Sequence, residues 1–337
     1  MNYNYTTAPI LNSVIAGGHI LALVKQDNML SVAMFNKELK AKGGIVALNG
    51  SKGFILDAKE NKLLLSIDDK LILIEHGERR TVLKSGRPEN FFWHAVRAKN
   101  KVFVQEYGEV PTGIFMSEDL ENWSKLVVNT DLDRHSRHFH NIAYDSHRKW
   151  LIATLGDECL ARVVFSEDLG NTWRPLYKGP WQFVPIVPLE DKIVFGMDSG
   201  VAKGGLGIYY PDKDKWEFIF LRWKDKNVKY AQFCDLKFLG KDLWVASLGT
   251  PQAAMASKDL RLWYPLFIES YDKEFNHNML LSIGEDTVVC STGKNLLIFS
   301  EDEIENAFNL KPLMVEYKAY WDKLVGYGFL IKHNILD

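Results

Sequence analysis

Cysteine is scarce and unpaired: Cys159, Cys234 and Cys290 are three in number, with no bridging or metal-binding spacing. That excludes a disulfide framework and a Cys-x-x-Cys centre, and it fits a reduced interior. No basic block occurs, and the formal net charge is -2. The electrostatic footprint of a nucleic-acid or anionic-membrane binder is therefore missing. No stretch reaches the roughly 18 uninterrupted apolar residues of a membrane helix. The opening residues, Met1 to Pro9, hold no basic segment followed by an apolar run. A secretory signal is not expected, and the expected location is the cytoplasm, or the virion for a viral chain. A phosphate-binding glycine loop, a dinucleotide fingerprint and a Gly-x-Ser-x-Gly elbow are absent as well.

What is present in quantity is aromatic: 10 Trp, 13 Tyr and 19 Phe, spread along all 337 residues. A repeat is present too. An apolar strand, a Ser-x-Asp, a Trp and a second apolar strand recur in that order. The fullest copy is Ser166-Glu167-Asp168-Leu169-Gly170-Asn171-Thr172-Trp173. Shorter copies are Ser117-Glu118-Asp119 with Trp123 and Ser257-Lys258-Asp259 with Trp263. Asp212 with Trp216, and Ser300-Glu301-Asp302 with Phe308, are the most degenerate. Successive aspartates lie forty-odd residues apart, the period of a four-stranded propeller blade.

The reading is an all-β chain forming a single β-propeller over residues 1–337, most simply of seven blades, within a range of six to eight. The blades fall at about 10–46, 47–86, 90–129, 138–179, 181–225, 229–270 and 275–310, with 311–337 closing the ring or forming a tail. The Asp accepts backbone N–H groups in a tight turn between the third and fourth strands, and Gly170 supplies a permissive backbone. The motif resembles the Asp-box, or BNR, repeat of sialidase-like propellers, and residues 90–310 carry the resemblance. It implies that these turns are architectural, on the face away from any ligand.

The ligand face is expected where first strands begin and the loops between second and third strands converge. Three first strands begin alike: His94-Ala95-Val96, His140-Asn141-Ile142 and His277-Asn278-Met279. Convergent imidazoles suit Zn, Mn or Fe, with Ca as a further divalent candidate, so His94, His140 and His277 are the expected metal ligands. His138 shares a strand face with His140. Glu106, Glu109, Asp157, Glu158 and Asp198 are the same-face carboxylates, and Asp157, Glu106 and His138 are the expected acid-base groups. Arg137 is expected to pair with a substrate carboxylate. Trp93 and Trp181 are expected to stack on sugar rings, and Gln232 to hydrogen-bond the ligand. In residue types the set resembles an oligogalacturonate lyase, a propeller whose histidines and glutamine hold a metal in the channel. A sialidase mechanism fits poorly, since a third arginine to hold a sugar carboxylate is lacking.

Two functions follow as expectations. One is a glycan-directed propeller cleaving acidic oligosaccharides by metal-assisted lyase or hydrolase chemistry. The other is a non-catalytic carbohydrate- or protein-binding propeller, such as a virion receptor-binding or assembly protein. Both take a carbohydrate or protein partner and neither takes nucleic acid or membrane.

Overall fold

The structure is a computed structural model, and it describes residues 4–7, 9–198, 204–224, 231–270 and 279–317. Almost every described residue outside turns is in a strand. Consecutive strands pair antiparallel in up-and-down runs of four. The first run is Ile10–Ala16, His19–Gln26, Met29–Phe35 and Ala41–Asn49; the second is Gly53–Lys59, Lys62–Ile67, Lys70–Glu75 and Glu78–Lys84. The third is Phe91–Ala98, Lys101–Tyr107, Gly113–Ser117 and Ser124–Val128; the fourth is Phe139–Asp145, Trp150–Leu155, Ala161–Ser166 and Arg174–Gly179. Two further runs occupy 183–223 and 232–270.

Burial follows the position of each strand in its run. Lys62–Ile67 is buried at every position but its first and is apolar from Leu63 to Leu65 and at Ile67. Glu78–Lys84, at the outer edge, is mostly exposed and charged, which suits a strand with one unpaired side. Tight turns between strands place Asp27, Glu60, Lys99 and Lys149 at positive φ, and the Gly17-Gly18 pair takes the same left-handed region at both turn positions.

The sheets do not number seven separate blades. Five four-stranded sheets stand alone, and the runs 183–223 and 232–270 belong to one nine-stranded sheet. The joining strand is Met314–Glu316, which pairs with Lys215–Trp223 on one side and Leu262–Ser270 on the other. The segment expected to close the ring thus wedges between two neighbouring outer strands instead; the rest of 311–337, from residue 318, lies outside the described residues. Closure comes from the other end of the chain. Asn4–Thr7 forms the outermost strand of the sheet built from Leu280–Ile283, Thr287–Ser291 and Asn295–Ser300. The expected break at 46/47 also falls inside the strand Ala41–Asn49.

First strands pack on one another in sequence, from Ile10–Ala16 through Gly53–Lys59, Phe91–Ala98, Phe139–Asp145, Phe183–Pro188 and Gln232–Gly240 to Leu280–Ile283, which returns to Ile10–Ala16. The core is accordingly divided among sheet interfaces. One cluster, with Phe103, Ile114, Phe139 and Ile152's neighbour Leu151, joins the third and fourth runs; another, with Leu206, Ile219, Phe233 and Trp263, joins the 183–223 and 232–270 runs. Cys234 and Cys290 are buried and belong to no disulfide. Among the described residues no helix is long and apolar enough to cross a membrane.

Three Ser-x-Asp segments form the same turn between third and fourth strands. The serine hydroxyl accepts a backbone N–H, from Leu120 at 2.8 Å, Gly170 at 2.7 Å and Leu260 at 2.9 Å. The aspartate then accepts the next N–H groups: Asn122 on Asp119, Thr172 on Asp168 and Leu262 on Asp259, each at 2.8 Å. Each tryptophan indole closes the turn on a backbone carbonyl at 3.0 Å. Ser300-Glu301-Asp302 is different. Ser300 caps the helix Glu301–Ala307 in a capping box with Glu303, so this segment starts a helix.

These turns carry a pH signature. Hydrogen bonds from the Thr172 side chain and backbone hold the Asp168 carboxyl at about 2, below the usual carboxylate range. Its contribution to stability is complete above pH 4 and is lost as pH falls from 4 towards 2. Asp168→Asn should therefore flatten part of the acid-side decline in melting temperature, read by circular dichroism from pH 6 to 2. An unchanged slope would show that the turn carboxylate is not coupled to folding.

Candidate functional site

The antiparallel order of a run puts the start of its first strand and the loop between its second and third strands at one end. The Ser-x-Asp turns, between third and fourth strands, lie at the other. The site is thus at the mouth opposite those turns, as expected for His94 and His140.

A shared irregularity decides what lies there. In five runs the first strand carries one extra residue at the same place, so that Leu11, Leu56, Trp93, His140 and Cys234 have no register partner. These are β-bulges, which re-aim a side chain. Trp93, with Leu56, Val184 and Leu280, belongs to an apolar cluster drawn from the first strands of several runs.

The residue after the bulge staples its strand to the next run. Asn12 gives and takes hydrogen bonds with the Ile55 backbone at 3.1 and 2.9 Å; Asn141 donates to Val184 O at 2.8 Å; Asp235 accepts Leu281 N at 3.0 Å. His94 occupies this stapling position, and His140 occupies the bulge. Aligning His94 with His140 by sequence is therefore wrong by one residue, which changes the direction of the side chain. The His94 ring lies 3.4 Å from the Gln105 amide, which also donates to His140 O at 3.0 Å. Burial depresses its pKa to about 4. His277 lies outside the described residues.

What the structure does bring together is His138, His140 and Asp157. Their candidate ligand atoms lie within 4.8 Å of one another. His140 Nε2 is 3.1 Å and His138 Nε2 3.3 Å from Asp157 Oδ1, and both rings are almost fully buried. His138 is fixed from behind by the Gly108 carbonyl, 2.9 Å from Nδ1. Burial pushes the Asp157 carboxyl up, but the two histidine contacts outweigh it and hold the group well below the carboxylate range. Burial lowers His140. Tyr107, half-buried, sets its ring 4.1 Å from that of His138 and 4.9 Å from that of Trp93. Exposed Arg137 reaches Glu109 at 2.9 Å and Asp157 at 3.4 Å.

Other expected site residues have different occupations. Glu106 is buried, and its two oxygens accept Gly86 N at 2.8 Å, Asn90 Nδ2 at 2.9 Å and Gly113 N at 3.1 Å. Its carboxylate thus ties together the backbone at Gly86 and Gly113 and the Asn90 side chain. Trp93 and Trp181 are 4% and 2% exposed, too enclosed to stack on a sugar; Trp181 packs on Phe218 at 4.6 Å. Gln232 donates to Asp198 at 3.1 Å. Burial raises the Asp198 carboxyl to about 7, against the Gln232 bond and with help from the Asp157 charge. Tyr107 and the Gly108 carbonyl were not foreseen, since nothing in their own segment marks them; only the pairing of Phe91 with Tyr107 brings them to the mouth.

No protein-family model matches the chain, and no curated protein does. Solved structures do. A YCF48 structure bound to a D1 peptide is similar with a TM-score of 0.58 at 12% identity, over 90% of this chain and 96% of that one. YCF48 from Cyanidioschyzon merolae gives 0.57 at 12%, over 89% and 99%. The GH74 xyloglucanase from Xanthomonas campestris gives 0.60 at 12%, over 88% of this chain and 53% of that one. These neighbours are β-propellers. The fold is propeller-like. At such identities the likeness extends to the fold alone, and the site rests on its own geometry.

Proposed function

We propose that this propeller is glycan-directed and takes acidic oligosaccharides at the mouth formed by the third and fourth runs. The observation that carries the reading is the placement of Arg137. Its guanidinium is exposed, yet held in orientation by Glu109 and Asp157, beside a half-buried tyrosine ring and two buried imidazoles. A planar fork fixed in advance suits a sugar carboxylate, because two parallel charge-assisted bonds form with little left to order. Tyr107 offers the neighbouring apolar surface, the part expected of Trp93 and Trp181. In the enzymatic form of this reading Asp198 exchanges the proton, since its carboxyl titrates near neutrality. The GH74 neighbour supports a sugar ligand through fold alone. The common scheme of the three Ser-x-Asp turns supports an Asp-box, sialidase-like ancestry, with those turns architectural.

Calorimetry with uronate oligosaccharides tests the reading. Binding should be measurable, and Arg137→Ala should weaken it about 10- to 100-fold, the range for losing a charged hydrogen bond. A folded protein that retains no acidic oligosaccharide, or an Arg137→Ala variant that binds as the wild type does, would refute it.

A further inference from the structure

We propose that His138, His140 and Asp157 hold a borderline transition-metal ion, of which Zn2+ is the representative, at the mouth between the third and fourth runs. The proposal does not depend on the sugar reading. It differs from the triad expected from sequence: His94 lies in the row after the bulge, beside Gln105 at 3.4 Å.

The argument begins with a tautomer. A carbonyl only accepts hydrogen bonds, so the 2.9 Å contact between His138 Nδ1 and Gly108 O puts the ring proton on Nδ1. In neutral His138 the Nε2 atom is then a bare lone pair. It is buried, has no hydrogen-bond partner, and lies 3.3 Å from Asp157 Oδ1. A lone pair and a carboxylate oxygen repel at that separation, and a cation between them turns the repulsion into coordination. The backbone contact behind His138 is the support that metal-bound imidazoles use to fix ring orientation. His140 brings its Nε2 to the same oxygen at 3.1 Å, while its Nδ1 is buried without a partner. Arg137 engages the other oxygen, Oδ2, at 3.4 Å, which leaves Oδ1 for the ion.

Two imidazole nitrogens and one carboxylate oxygen suit Zn, Mn, Fe, Co or Ni; Ca and Mg prefer oxygen-only shells. Three protein ligands also leave a coordination position open. It is suited to an oxygen donor such as water or a ligand carboxylate. The competing arrangement is a protonated His138 ion-paired with Asp157, which needs no metal.

Metal titration of chelator-treated protein separates the two. Calorimetry with Zn2+ alone should show one equivalent per chain, and Co2+ should give a visible absorption band from nitrogen-oxygen ligation. His138→Gln and Asp157→Asn should weaken Zn2+ binding at least about 100-fold, since each removes one of three ligands. His94→Gln should stay within about threefold of the wild type. Near-ultraviolet circular dichroism checks folding, and Asp157→Asn, the partly exposed and nearly isosteric change, serves if His138→Gln does not fold. Absence of stoichiometric Zn2+ and Co2+ binding would overturn the proposal in favour of the ion pair. So would undiminished affinity in Asp157→Asn, or a loss in His94→Gln as large as in His138→Gln.

Discussion

Trp263→Ala should lower the unfolding free energy by about 3–5 kcal/mol, the range for truncating a large buried aromatic. Trp263 is fully buried and meets Phe233 edge-on, with ring centroids 5.6 Å apart. It belongs to the cluster that joins the 183–223 and 232–270 runs, so a cavity there would loosen two sheets at once. Its indole also satisfies the Leu260 carbonyl at 3.0 Å, an acceptor left without that donor after truncation. The backbone of the same residue receives Leu313 N at 3.0 Å beside the wedge strand Met314–Glu316. Trp123, which closes the same kind of turn but is only half-buried, is the internal reference. Urea denaturation of both alanine variants should show the larger loss at 263. Equal losses would mean that the turn, and not the inter-sheet packing, sets the cost.

Asp198→Asn should stabilise the protein above neutral pH by roughly 4 kcal/mol and change little near pH 4. The folded carboxyl keeps its proton up to about pH 7, while the unfolded one loses it near 4. Between those values the native state binds the extra proton, so wild-type stability falls as pH rises through that window and levels off above it. Each unit of displacement corresponds to about 1.4 kcal/mol, and the displacement is about three units. An amide keeps an acceptor for the Gln232 side chain and removes the buried charge. Denaturant midpoints for both proteins at pH 4 and 8 give the comparison. A difference of the same size at both pH values would show that the carboxyl is not titrating in the fold. If Asp198 exchanges a proton with a ligand, the stabilised variant should also lose turnover, the usual tension at a strained site.

The repeat was legible because its determinants are local. Ser117-x-Asp119, Ser166-x-Asp168 and Ser257-x-Asp259 each satisfy backbone donors within a few residues, and any chain with that spacing can make the turn. Ser300-Glu301-Asp302 shows the limit. The same letters precede Glu303, and a Ser with Glu three residues later caps a helix equally well. The end of the chain misled for another reason. Strand pairing partners far apart in sequence leave no mark in either segment, so neither Asn4–Thr7 on Asn295–Ser300 nor Met314–Glu316 between two outer strands could be read in advance.

By itself the sequence determined an all-β chain of short strands, its forty-odd-residue period, the three Ser-x-Asp turns and the end of the ring on which the histidines lie. All of these follow from alternation, turn chemistry and chain direction, which act over one run of strands. The tertiary structure decided which side chains meet. One bulged residue in each of five first strands puts Trp93 and His140 in equivalent places and sends His94 to the stapling row. The Gly108 carbonyl, thirty residues from His138 along the chain, selects that ring's tautomer. Backbone donors from two loops occupy Glu106, while Asp157, a residue of the same type on the same face, is left to two imidazoles. A carboxylate or an imidazole takes its role from the donors and charges packed around it, and the packing of strands and loops, more than the residue's own segment, decides which those are.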